Sequence, residues 1–217
     1  MCWGYNGHRQ IGDGSTTSRY TPVNVSGLNN VKSISAAKFH SCAALDNGSA
    51  MCWGNNGYGR LGDGTASNRL TPVLVSGLSN VKSISTAENH SCAALDNGSA
   101  MCWGYNGYGQ IGDGSTTNRY TPVLVSGLNN VKSISTGTSH SCAALDNGSA
   151  MCWGSNGNGR LGDGSTTNRY TPVNVLNLGS IRLPKMLNIF DFEDGKLIIL
   201  LQSYSGSLVN QELQRSL

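Results

Sequence analysis

A period of 50 residues constrains this chain more than any other feature. The block His40-Ser41-Cys42-Ala43-Ala44-Leu45-Asp46-Asn47-Gly48-Ser49-Ala50-Met51-Cys52-Trp53-Gly54 recurs at 90–104 and 140–154, and its second half opens the chain at Met1-Cys2-Trp3-Gly4. Two short apolar runs around Asn-Gly read as a hairpin with a cysteine on each strand. Units of this length carrying several short strands point to a β-propeller. Asn-Gly, Asp-Gly and Thr-Pro breakers in every unit exclude a helical array of similar period. The 29 glycines and the low charged fraction of 12% agree, because surface helices need Glu, Lys and Ala instead.

Each unit predicts an all-β blade of four antiparallel strands. In the first complete unit these are Val31 to Ala36, Ser41 to Leu45, Ala50 to Trp53 and Pro72 to Val75. Side-chain volume orders them from the centre outward. The first strand is rich in Ser and Ala, as a strand crowded against a channel must be, and the later ones carry Trp, Met, Val and Leu. Proline fits an edge strand, since it lacks the N–H of a central ladder. Complete blades then cover 31–75, 81–125 and 131–175, with residues 1–25 as the outer half of another. Met1 holds the repeat position of Met51, Met101 and Met151, so the chain is expected to begin inside its own repeat, with its true start upstream. After Val175 the pattern stops. The divergent tail, 176–217, contains no Trp, Cys or Asn-Gly and reads either as a cap or as the result of a frame change. Within it, Asn188 to Phe192 and Lys196 to Gln202 predict a hairpin around Glu193-Asp194-Gly195, and Val209 to Arg215 a short helix.

The seven cysteines follow the hairpins. A loop centred on Asn47 sets Cys42 opposite Cys52, and Cys92–Cys102 and Cys142–Cys152 repeat the arrangement. Residues at a non-hydrogen-bonded pair lie about 4.5 Å apart, near the short end of disulfide geometry. Cys2 is then the partner-side cysteine of a hairpin whose first strand is absent. Each disulfide would add about 2–3 kcal/mol by restricting the unfolded chain. Together they imply an oxidising compartment and an extracellular or cell-surface protein. A two-residue Asn-Gly turn would instead place Cys42 opposite Trp53, leaving reduced cysteines and a cytoplasmic protein. Zinc is a third reading of His40, Cys42 and Cys52, but a fourth ligand is missing.

Little else carries chemistry. The formal charge of +3 is dispersed and implies no nucleic-acid partner. Leu197 to Leu201, the longest apolar run, is far short of the roughly 18 residues of a membrane span. His40, His90 and His140 precede serines, yet no nucleophile elbow or orienting acid accompanies them, so they read as structural. Asp13, Asp63, Asp113 and Asp163 lack the alternating carboxylates of a calcium loop and read as turn residues. The glycine-rich loop has no Lys-Ser/Thr to hold phosphate, and no cofactor is implied. Asn47-Gly48-Ser49 and its copies fit a glycosylation triplet, which the hairpin turn already explains.

Variation is concentrated in two places. The link between the first two strands reads Ala36-Ala37-Lys38-Phe39, Thr86-Ala87-Glu88-Asn89 and Thr136-Gly137-Thr138-Ser139. The glycine-rich loop varies at Tyr5, Asn55, Tyr105 and Ser155, and at His8, Tyr58, Tyr108 and Asn158. A fixed scaffold with one changing loop edge is the pattern of a binding surface, and drift at permissive positions gives the same pattern. The candidate partner-binding residues are Lys38, Phe39, Glu88, Asn89, Thr138, Ser139, Tyr58 and Tyr108.

The run Cys-Trp-Gly-x-Asn-x-x-Gly-Gln/Arg-Leu/Ile-Gly, then Thr-Pro-Val, Val-Lys-Ser-Ile-Ser and His-Ser-Cys-Ala-Ala-Leu-x-x-Gly, resembles the regulator of chromosome condensation repeat. It stands at 52–98 and 102–148, with partial copies at 2–48 and 152–175. The resemblance implies a seven-bladed propeller, and the paired cysteines are most similar to the bacterial, often secreted, alpha-tubulin-suppressor-like branch. Seven blades need about 350 residues. This chain therefore does not close the ring alone, and open blade edges invite self-association. The expected function is non-enzymatic binding of a protein or glycan through the loop rims. The alternatives are a regulator of another enzyme, either exchange-factor-like or inhibitory, and a piece of an array without function of its own.

Overall fold

The repeat block forms the same hairpin in all three complete units of the computed structural model, which describes residues 1–176 and the strands Asp191–Glu193 and Lys196–Ile198. A half-blade comes first, made of β1 (Cys2–Gly4) and β2 (Arg19–Val23). The first complete blade is β3 (Val31–Ala36), β4 (His40–Leu45), β5 (Ala50–Gly54) and β6 (Arg69–Leu74). The second is β7 (Val81–Thr86), β8 (His90–Leu95), β9 (Ala100–Gly104) and β10 (Arg119–Leu124). The third is β11 (Val131–Thr136), β12 (His140–Leu145), β13 (Ala150–Gly154) and β14 (Arg169–Asn174). All three are antiparallel meanders with strands in chain order, as residue volume predicts.

Turn chemistry sets the register. Leu45 N–H donates to Ser49 O at 2.9 Å, so the loop is the three residues Asp46-Asn47-Gly48, not the two-residue alternative. Gly48 takes the left-handed conformation at φ +80°, and Asn47 Oδ1 accepts from Ser49 N at 3.0 Å. Alternation from the Leu45–Ser49 bond then makes Cys42–Cys52 a non-hydrogen-bonded pair. Cys42–Cys52, Cys92–Cys102 and Cys142–Cys152 are disulfides with Cα–Cα 4.1 Å, and Cys2 is free.

Four strand limits differ from expectation, one of them the end of the third strand, which runs on to Gly54. The second strand begins one residue early, at His40, which pairs with Gly54. The fourth begins at Arg69 and ends at Leu74, because a register irregularity lets Arg69 pair with Gly54 while Val73 pairs with Cys52. Pro72 sits on this edge strand, where no ladder needs its missing N–H.

Blades meet through small residues at the centre and large ones outside. β3 packs on β7 and β7 on β11, with Ser35 Oγ 2.9 Å from Thr86 Oγ1 and Ser85 Oγ 2.9 Å from Thr136 Oγ1. Farther out, Trp53, Trp103 and Trp153 are fully buried, Trp53 with Val25, Trp103 with Leu61 and Val75, and Trp153 with Ile111 and Val125. Residues Met1–Leu178 form one compact unit and Gly179–Leu217 another. In the second, β15 (Asp191–Glu193) pairs antiparallel with β16 (Lys196–Ile198), inside the predicted hairpin. The rest of that hairpin and the predicted helix from Val209 to Arg215 lie outside the described residues.

Candidate functional site

The glycine-rich loop after each third strand is built around a buried asparagine. Asn6, Asn56, Asn106 and Asn156 are fully buried. Their Oδ1 atoms accept from the backbone of Ile11, Leu61, Ile111 and Leu161 at 2.9–3.0 Å, which drives that apolar side chain into the core. Asp13, Asp63, Asp113 and Asp163 accept from the amide two residues on at 3.0 Å, the turn role predicted for them. They also bind Arg19, Arg69, Arg119 and Arg169 Nε at 2.6–2.8 Å. Burial raises the Asp63 pKa, but bonds from Thr65 and Arg69 outweigh it and hold the carboxyl below its usual range. Both oxygens are committed to protein donors.

The same loops supply the acceptors that join blades. Trp103 Nε1 and Ser91 Oγ both donate to the Arg60 carbonyl of the preceding blade at 2.9 Å. Trp53 and Ser41 use Gln10 O, and Trp153 and Ser141 use Gln110 O, in the same way. His40 Nε2 lies 2.7 Å from Ser91 Oγ, and His90 Nε2 lies 2.8 Å from Ser141 Oγ. Each serine proton goes to a carbonyl, so the histidine donates through Nε2–H and leaves Nδ1 as an unpartnered acceptor. Burial, with smaller contributions from Arg60 and His90, pushes the His40 pKa down to about 3. His90 falls to about 3 through burial and then His140. These are neutral, solvent-free links between blades, unable to serve as a general base.

Arg60 connects this seam to the surface. Its carbonyl is the seam acceptor, while its guanidinium lies between Phe39 at 5.2 Å and Tyr58 at 5.3 Å and donates from Nη1 to Glu88 O at 3.2 Å. From Phe39 the stack continues to His8 at 4.7 Å and from His8 to Tyr5 at 5.7 Å. From Tyr58 it continues to Tyr105 at 5.1 Å and then to Tyr108 at 6.3 Å. Lys38 Nζ caps the Phe39 ring at 4.9 Å and pairs with Glu88 at 3.1 Å. Tyr5, Tyr58 and Tyr108 are 65%, 42% and 44% exposed, so ring faces remain open to a partner.

Of the sequence-predicted residues, Lys38, Phe39, Glu88, Tyr58 and Tyr108 therefore belong to one strip. Asn89 adjoins it, its carbonyl accepting from Tyr105 N at 2.9 Å. Thr138 and Ser139 belong to the third blade, where Ser155 and Asn158 replace the aromatic rings. Sequence reasoning missed Arg60. Its signal was the Gln10, Arg60, Gln110, Arg160 alternation, one of several variable positions in that loop. The strip offers aromatic faces and cations for non-covalent recognition. Among the described residues, no three His, Cys, Asp or Glu side chains are grouped to hold a metal ion.

Comparison with known proteins agrees with this architecture. Residues 2–44, 47–94, 97–144 and 147–186 match the Regulator of chromosome condensation (RCC1) repeat, and a second description of that repeat matches 31–60, 81–110 and 131–160. The chain belongs to this family. Yeast RCC1 (Prp20), in its complex with Kap60, is similar at 22% identity and TM-score 0.70 over 82% of this chain and 44% of that one. Human WBSCR16 is similar at 25% identity and TM-score 0.70 over 80% and 47%. Prp20p from Saccharomyces cerevisiae gives 22% identity and TM-score 0.69 over 82% and 46%. The chain thus spans less than half the length of each. A sequence comparison with curated proteins finds no match. The fold is a partial RCC1-type propeller of about three blades.

Proposed function

We propose that this chain is a non-enzymatic protein-binding module whose contact surface is the strip from Tyr5 through Phe39, Arg60 and Tyr58 to Tyr108. The supporting observation is the strip itself, exposed aromatic rings held in place by a buried arginine. Tyr and Arg on a rigid base supply contact area at low entropic cost and dominate protein interfaces. Protein binding by the same fold also supports it: yeast RCC1 was seen with Kap60, and Prp20p was studied for binding Gsp1p and histones. The half-exposed Tyr58 and Tyr108 rings, flanked by polar groups, also suit stacking on a sugar face, which makes a glycan the second ligand class. The disulfides favour an oxidising compartment, outside the cell or on its surface.

The test compares the immobilised chain with its Phe39→Ala/Tyr58→Ala/Tyr108→Ala variant, against extracellular protein extracts and a glycan array. A ligand retained by the parent and lost by the variant supports the strip. Ligands held equally by both would refute it. Accelerated nucleotide release from a small GTPase would instead favour the exchange-factor reading.

A further inference from the structure

Every complete unit carries Asn-Gly at the hairpin tip and again in the glycine-rich loop. Glycine has no Cβ to keep its nitrogen from the carbonyl carbon of the preceding side chain, so both pairs are open to attack on sequence grounds. The structure gives the two sets opposite surroundings. In the loops Asn56 and Asn106 are fully buried. Asn56 Nδ2 donates to Asp63 Oδ1 at 3.0 Å and to Thr65 O at 2.9 Å, while Oδ1 accepts from Leu61 N at 3.0 Å. Asn106 Nδ2 donates to Ser115 O at 3.0 Å and Thr117 O at 3.1 Å, and Oδ1 accepts from Ile111 N at 2.9 Å. Neither amide can turn toward its glycine without giving up these bonds in a dry interior.

At the tips, Asn47, Asn97 and Asn147 are exposed. Each Oδ1 accepts twice from the serine two residues on, from the N–H at 3.0 Å and from the hydroxyl at 2.7 Å. Two donors already aimed at one amide oxygen are the arrangement that stabilises an oxyanion. The first two tips hold this geometry with the following blade in place. A Cβ at Gly48 would lie 3.1 Å from Asn80 N, and one at Gly98 3.2 Å from Asn130 N.

We infer that Asn47, Asn97 and Asn147 are sites of spontaneous deamidation, each promoted by its own Ser49, Ser99 or Ser149. Hydroxide removes the Gly48 amide proton, and that nitrogen forms a bond to Asn47 Cγ. Oδ1 becomes the oxyanion facing the two Ser49 donors. Its collapse breaks the Cγ–Nδ2 bond, and ammonia leaves with a proton from water, restoring the hydroxide. Water then opens the five-membered imide at either carbonyl, giving aspartate or isoaspartate. Gly48 N–H donates to Leu45 O at 3.0 Å, and this bond must open first. Each event exchanges an amide for a carboxylate, so three of them cancel the formal charge of +3. The change falls at the far end of β4 from Phe39 and is independent of what the aromatic strip binds.

The test incubates the oxidised full chain at mildly alkaline pH, with peptide masses and isoaspartate-specific methyl transfer as readouts. Deamidation is expected at Asn47, Asn97 and Asn147 at least roughly tenfold faster than at Asn56 and Asn106. Ser49→Ala/Ser99→Ala/Ser149→Ala is expected to slow the tips by roughly threefold to tenfold, since one of the two donors is lost. A merely loosened hairpin would react faster, so slowing reads the hydroxyl itself. Equal rates at tips and loops would overturn the inference. So would tips that stay intact while the urea-unfolded chain deamidates, or a triple variant that reacts as fast as the parent.

Discussion

At the seam between the first two complete blades, His40, Ser91 and Trp103 are fully buried and recur unchanged in the neighbouring units. On the rim, carried by the same links and loops, Phe39 gives way to Asn89 and Ser139, and Tyr58 to Asn158. The difference lies in which atoms do the work. The seam tryptophans and serines donate to main-chain carbonyls, so the residue that supplies one is free to be Gln10, Arg60 or Gln110. Rim contacts are made by side chains, so each substitution there rewrites the surface without disturbing the join below. The one departure within a seam is itself paired. Arg9 replaces the usual glycine at φ 68°, and the residue of the following blade opposite it is Leu70 instead of tyrosine.

The largest expected effect lies in the seam. Trp103→Ala removes a fully buried ring and leaves Arg60 O with one donor. The expected cost is about 3–5 kcal/mol in denaturant unfolding, against less than about 0.5 kcal/mol for Tyr58→Ala on the rim. Equal effects would break the distinction.

Acid is the next probe. His40 and His90 have folded pKa values of about 3, below the ordinary 6.5. Below pH 6.5 the unfolded chain takes up protons that the folded seam refuses. Stability is therefore full above that pH and falls as pH drops toward 3, by about 1.4 kcal/mol per pH unit for each histidine. The carboxyls of Asp13, Asp63 and Asp113, held below their ordinary range, add loss in the same direction below their ordinary pKa of 3.8. Urea unfolding at pH 7, 6, 5 and 4 reads the slope. A flat profile would mean that the histidines are not sealed. A smaller effect, about 1–3 kcal/mol, is expected from Ser91→Ala, which strands His40 Nε2–H without an acceptor.

The blades and the pairing of cysteines were legible because both depend on local sequence. The repeat placed the strands, and the odd loop centred on Asn47 set Cys42 against Cys52. The start of the fourth strand was not legible, since Arg69 joins the ladder after a polar run with no strand pattern. The seam was legible only in its donors. Trp103 and Ser91 repeat visibly, but their acceptor, Arg60 O, has no sequence signature. The rim was half legible for the same reason. Variable positions marked its aromatic residues, while Arg60, 21 residues from Phe39 in sequence, joins it only through the fold.

Arg60→Gln tests the separation of seam and rim most directly. Gln10 and Gln110 already hold this position, and their carbonyls accept the same tryptophan and serine donors. Thermal unfolding of the variant is predicted to shift by less than about 2 °C with Trp103 still buried, while the stack between Phe39 and Tyr58 is lost. A fall of roughly 6–20 °C, the size expected of a broken seam, would contradict the account.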